Sequence, residues 1–264
     1  MTRPFLFGTN FKMNQTPAES ADFYARLAAQ VEPQPDVQLF VIPPFTSLSA
    51  VTELARQDDS GIWIGAQNMH WAAEGAYTGE ISATMLRALG VDLVVLGHAE
   101  RRRDFHESDP DLNRKVLAAL ESGLRVLLAV GESAEERQFG VSAETVLRQL
   151  KIDLHGVRAE QLPMVQIAYE PVWSIGAGGT PASPQDVEPM AALIRGAMSE
   201  LFGAAGAAVP ILYGGSVDPG NAASFTALPD IDGLFVGRAA WTVEGFLATY
   251  RAGLAGKLAS RPMD

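Results

Sequence analysis

Three ionisable side chains follow directly on apolar runs: Lys12 in Asn10-Phe11-Lys12, His98 in Gly97-His98-Ala99-Glu100-Arg101-Arg102, and Glu170 in Tyr169-Glu170-Pro171. A carboxylate pressed against apolar neighbours is partly desolvated, which makes it a stronger base toward a carbon acid. A neutral imidazole at the start of a helix can donate to a carbonyl oxygen and shuttle protons between neighbouring oxygens. A compact ammonium can hold a phosphate and balance charge growing on an oxygen. Each residue also has a plainer reading: a solvated lysine, a satisfied structural histidine, a carboxylate paired with an arginine. After Glu170 comes Pro171-Val172-Trp173-Ser174-Ile175-Gly176-Ala177-Gly178-Gly179, a glycine-rich loop bracketed by stiff residues, as a hinged lid would be. Tyr213-Gly214-Gly215-Ser216 and Val236-Gly237 offer backbone N–H groups that suit a phosphate, although glycines serve tight turns equally well.

The elements that must position these groups are short apolar runs alternating with helical patterns, the signature of βα units and a parallel sheet. Eight runs stand out: 5–9, 38–42, 62–66, 93–97, 125–130, 165–169, 211–213 and 234–237. They are apolar almost throughout, as strands buried on both faces should be. Thr16-Pro17 and Ser183-Pro184 pair an N-cap with proline at the first helical position, and Gly90 and Gly123 read as C-terminal stops. Val187, Met190, Leu193, Ile194, Met198 and Leu201 fall on one helical face, expected to pack on the sheet. The pattern suits a closed (β/α)8 barrel and could also be assembled as a doubly wound open sheet. No linker or composition break divides the chain, so residues 1–264 are expected to form one domain.

With 20 Lys and Arg against 31 Asp and Glu, the formal net charge of −11 repels nucleic acid, and an anionic ligand must be captured locally. There is no cysteine, and the four histidines lack ligand spacing, so no metal is expected. No apolar run approaches a membrane span, and Met1-Thr2-Arg3-Pro4-Phe5 leads into a strand without a signal-peptide pattern. No membrane partner and a cytoplasmic location are the resulting expectations.

Taken in order, Asn10-Phe11-Lys12-Met13-Asn14, Gly97-His98-Ala99-Glu100-Arg101-Arg102, Ala168-Tyr169-Glu170-Pro171-Val172-Trp173 and Tyr213-Gly214-Gly215-Ser216-Val217 resemble the motif set of triosephosphate isomerases. The resemblance extends over nearly the whole chain and implies a TIM barrel acting on a small phosphorylated sugar through an enediolate, with no cofactor required. It implies Glu170 as base, His98 as neutral electrophile, Lys12 as electrostatic clamp, Asn10 as a positioning group and Glu100 as a supporting acid. Gly176, Ser216 and Gly237 match backbone positions that grip phosphate, with Gly215 and Arg238 beside them. Gly75-Ala76-Tyr77-Thr78-Gly79-Glu80-Ile81-Ser82 is similar to the family's interface loop, which implies a homodimer in which Thr78 is lent to the neighbouring site.

Departures from the common family pattern cluster around the same places. Ala99 replaces a serine, Phe11 a tryptophan, Ala177 a threonine at the lid tip and Ala129 a cysteine. Arg238 stands where a second glycine is usual, adding bulk and charge beside the phosphate positions. Gln67-Asn68-Met69-His70-Trp71 and the stretch from Gly237 to Gly245 also resemble a side branch, the erythrulose-1-phosphate isomerases of erythritol breakdown. That branch moves a carbonyl by one carbon in a four-carbon ketose phosphate, with the same chemistry. Two rivals are weighed: a Schiff-base aldolase and a non-catalytic phosphate-binding barrel. Of the four lysines, Lys12, Lys115, Lys151 and Lys257, only Lys12 follows a strand, and it opens a rim loop, which argues against a Schiff base. A non-catalytic relic would have no need to keep Lys12, His98 and Glu170 together.

Overall fold

The computed structural model describes residues 3–176 and 179–260. Its eight strands are β1 (Phe5–Asn10), β2 (Val37–Ile42), β3 (Trp63–Ala66), β4 (Leu93–Leu96), β5 (Arg125–Val130), β6 (Val165–Tyr169), β7 (Ile211–Tyr213) and β8 (Gly233–Val236). Each pairs in parallel with the next, and β8 pairs with β1, so the sheet closes on itself. Closure excludes the doubly wound alternative. Every expected run is a strand, with ends displaced by a residue or so: β4 stops at Leu96 because Gly97 turns at φ 77, and β8 begins at Gly233.

Two apolar layers form because parallel strands are covered on both faces. Inside the barrel, Leu6, Phe40, Ile42, Leu93, Val95, Leu127, Ala129, Ala168, Leu212 and Phe235 pack together. Between barrel and helices lies a larger layer that includes Phe7, Val94, Val126, Ile167, Ile211 and Val236. The period of two sets side-chain direction along each strand. Ala168 therefore faces inward, and Glu170, two residues on, emerges on the same side just beyond the strand.

Helix ends follow their caps. Thr16 caps the helix Pro17–Ala28 and Ser183 caps Pro184–Ala207, each in a capping box closed by Glu19 or Asp186. Gly90 ends Ala83–Leu89 in the left-handed conformation. The apolar face of Pro184–Ala207 needs correction. Val187, Ile194 and Met198 are buried, but Leu193 is half-buried and Leu201 is 38% exposed. Gly203 leaves helical geometry at φ 62, ψ −142, and Phe202 packs on the core where Leu201 does not.

Candidate active site

At the C-terminal ends of the strands a cavity of about 620 Å³ is lined by Asn10, Lys12, His98, Glu100, Glu170, Gly176, Gly215, Ser216, Gly237 and Arg238, among others. Every candidate catalytic and phosphate-binding residue read from the sequence lines this one space, whereas Thr78, expected to serve a neighbouring subunit, lies exposed on the loop 73–80. A second cavity, at the N-terminal ends, is lined mainly by apolar residues and contains none of them.

Glu170 is 2% exposed and His98 5% exposed, with Glu170 Oε1 3.6 Å from His98 Nε2. The other carboxylate oxygen accepts a hydrogen bond from the Ala99 backbone N–H at 2.9 Å. Gly214 makes this seat possible, because a Cβ there would come within 2.9 Å of Glu170 Cγ. The backbone N–H of Glu100 donates to His98 Nδ1 at 3.2 Å. An accepting Nδ1 carries no proton, so a neutral His98 holds its proton on Nε2, the nitrogen facing Glu170 and the cavity.

Lys12 projects its ammonium to Glu100 Oε1 at 2.8 Å. Its backbone adopts the left-handed conformation, φ 52, uncommon for a side chain with a Cβ. Two hydrogen bonds hold the chain there: the Lys12 N–H donates to Asn10 Oδ1 at 2.8 Å, and Gln67 Nε2 donates to Lys12 O at 2.7 Å. Gln67 Nε2 also reaches Asn10 Oδ1 at 3.0 Å, and Trp241 Nε1 donates to Asn10 O at 2.9 Å.

The segment after Glu170 is tied down at its base. Trp173 Nε1 donates to Glu132 at 2.7 Å, the Tyr169 hydroxyl donates to the same carboxylate, and the Arg137 guanidinium covers the Trp173 ring at 3.7 Å. Burial pushes the Glu132 carboxyl above its ordinary range, against the lowering effect of these donors. Ser216 Oγ donates to Ser174 O at 3.2 Å, linking this segment to the turn after β7. Ala177 and Gly178, at the expected lid tip, lie outside the described residues. Arg238 sits exposed on the cavity rim, and among the described residues its guanidinium makes no hydrogen bond or ion pair.

A sequence profile described as triosephosphate isomerase matches residues 5–253. The chain belongs to the triosephosphate isomerase family. It is 46% identical over 243 residues to the L-erythrulose-1-phosphate isomerase of Rhizobium etli, covering 91% of this chain and 89% of that one. It is 44% identical over 247 residues to the triosephosphate isomerase of Acetivibrio thermocellus, covering 93% and 97%. The L-erythrulose-1-phosphate isomerase of Brucella abortus is 45% identical over 246 residues, covering 92% and 94%. Relatives of both names thus lie between 44% and 46% identity.

Within this family member, two supporting residues escaped sequence reasoning as site elements: Gln67, which holds both Asn10 and Lys12, and Glu132, which anchors the base of the segment after Glu170. Both follow strands, β3 and β5, and that rim position was the available signal.

Proposed function

We propose that this protein is a sugar-phosphate isomerase that interconverts dihydroxyacetone phosphate and glyceraldehyde 3-phosphate by proton transfer through an enediolate. The reading rests on one observation, the meeting of Glu170, His98 and Lys12 from three separate strand ends in one cavity. Glu170 takes the proton from C1 of the bound ketose, and electron density moves onto the carbonyl oxygen at C2. His98, donating from Nε2, and Lys12 stabilise that oxygen. The proton passes between the two enediolate oxygens by way of His98, and Glu170 returns its proton to C2. Side chains of this chain suffice for every step. The phosphate is held at the rim by backbone N–H groups of Gly176, Gly215, Ser216 and Gly237, with Arg238 beside them. Closure of the segment 171–179 over it excludes water, which protects the intermediate from losing phosphate.

A second substrate is favoured by a specific feature. Arg238 carries a cation at the rim of the cavity with no protein partner among the described residues, and relatives named for L-erythrulose 1-phosphate and for triosephosphate stand at 46% and 44% identity. The four-carbon ketose phosphate presents the same carbon acid with one more hydroxylated carbon for the rim to accommodate. The deciding experiment compares kcat/KM for dihydroxyacetone phosphate and erythrulose 1-phosphate while following deuterium uptake from solvent. A preference for the three-carbon substrate above about a hundredfold, roughly 3 kcal/mol, removes the tetrulose reading. Uptake into neither removes the isomerase itself.

We infer further that the protein is a cytoplasmic homodimer, and the loop 73–80 supports the dimer. The His70 ring lies 4.1 Å from both the Trp71 and Tyr77 rings, which orders the start of the loop, and Met13, Tyr77 and Met85 are exposed apolar side chains. A second copy covering these side chains would bring Thr78 to its partner's site. Light scattering behind size exclusion tests this directly.

A further inference from the structure

Behind the cavity wall, one nearly buried cation is tied to the end of β4, which carries His98, and to the end of β5, which pairs with the strand that carries Glu170. Arg102 has a side chain only 13% exposed. Its Nε donates to Gly97 O at 2.8 Å and its Nη2 to Ala129 O at 3.1 Å. Nη2 also meets Asp153 Oδ2 at 2.7 Å, and Nη1 meets Asp109 Oδ1 at 2.6 Å. The pairing of β4 with β5 ends at Leu96 and Leu128, so the guanidinium bridges the first carbonyls beyond the shared ladder. The local backbone is shaped for that contact. At Gly97, an added Cβ would lie 2.7 Å from Ala129 O and 2.8 Å from Arg102 Nη2. Asp153 is fully buried, and Asp109 takes a second arginine, Arg148, at 3.1 Å.

Both bridged carbonyls stand next to the chemistry. Gly97 is followed by His98 and by Ala99, whose N–H holds Glu170. Ala129 is followed by Val130, whose carbonyl accepts the Glu170 N–H at 2.8 Å. A planar fork with fixed donors can hold two carbonyls and two carboxylates at once, whereas an ammonium presents all its donors from one nitrogen.

We propose that Arg102 is a positioning residue which, gripped by Asp153 and Asp109, locks the ends of β4 and β5 so that the His98 imidazole and the Ala99 N–H meet Glu170. This rests on the isomerase reading of Glu170 and His98. The test uses the full chain with Arg102→Lys, and with Arg102→Met combined with Asp153→Asn so that no buried carboxylate loses its partner. In both, kcat falls by about tenfold or more while KM stays within about twofold, a split that follows from displaced reacting groups and not from lost substrate affinity. In the unliganded protein, the Ala99 amide proton resonance moves upfield as its bond to the carboxylate lengthens. Wild-type kcat together with an unmoved Ala99 resonance in either folded variant overturns the proposal, as does a kcat that falls only in step with the melting temperature. Should the double variant not fold, Arg102→Lys decides alone. A wild-type protein inert toward both sugar phosphates would sink the isomerase reading instead, and the Ala99 resonance would still report on Arg102.

Discussion

Glu170 and His98 face each other across 3.6 Å, Oε1 to Nε2, with the second carboxylate oxygen resting on the Ala99 N–H. That contact gives one oxygen of a nearly fully buried carboxylate a hydrogen-bond donor. Replacing the proposed base by glutamine keeps its shape and removes its basicity. Glu170→Gln is expected to lower kcat by about 10² to 10⁴ with little change in KM. Its melting temperature should match or exceed that of the wild type, because one buried charge is gone. A coupled assay and a thermal melt on the same preparation check both halves.

Gln67 gives a second, graded prediction. Its amide donates to Asn10 Oδ1 and Lys12 O, and these bonds help hold Lys12 in a left-handed backbone. Gln67→Leu preserves volume but leaves Lys12 O without its donor and Asn10 Oδ1 with the Lys12 N–H alone, at a cost of about 1–3 kcal/mol if the freed carbonyl stays buried. Because Lys12 is expected to touch both bound substrate and developing charge, KM should rise and kcat should fall together, by about tenfold in kcat/KM. Steady-state kinetics would contradict this if only the melting temperature moved.

Much of this arrangement was legible beforehand for a physical reason. Parallel strands covered on both faces must be apolar along their whole length, so all eight runs could be found, and polar residues at their ends point to the rim. Lys12, His98 and Glu170 were found that way. The contacts that hold them were not, because they join residues remote in sequence: Trp241 to Asn10, Gln67 to Lys12, Arg102 to Asp153. No periodicity encodes such pairs. Leu201 shows the opposite failure, a residue with the right spacing placed near a break at Gly203 that spacing does not report.

Arg238 tests substrate choice. Its guanidinium stands on the cavity rim without a protein partner among the described residues. Arg238→Gly removes bulk and charge together. The ratio of kcat/KM for erythrulose 1-phosphate over dihydroxyacetone phosphate should fall by about tenfold or more, about 1.4 kcal/mol of discrimination. An unchanged ratio would mean that Arg238 does not read the length of the substrate.

The last prediction concerns pH and stability. Asp153 is fully buried, and burial pushes its carboxyl from the ordinary 3.8 up to about 7, with Arg102 and Arg148 pulling down and Asp109 pushing up. In the unfolded chain the same group releases its proton near its ordinary value. Between those two values the folded state binds more protons than the unfolded state, so the contribution to stability is fully present at low pH and is lost as pH rises through about 7. Over that window the loss is on the order of a few kcal/mol. Asp153→Asn cannot titrate. Urea unfolding of wild type and variant at a series of pH values should therefore show the variant gaining relative to the wild type as pH rises toward neutrality. A difference that stays flat would mean that Asp153 is already ionised in the fold at low pH, held so by Arg102.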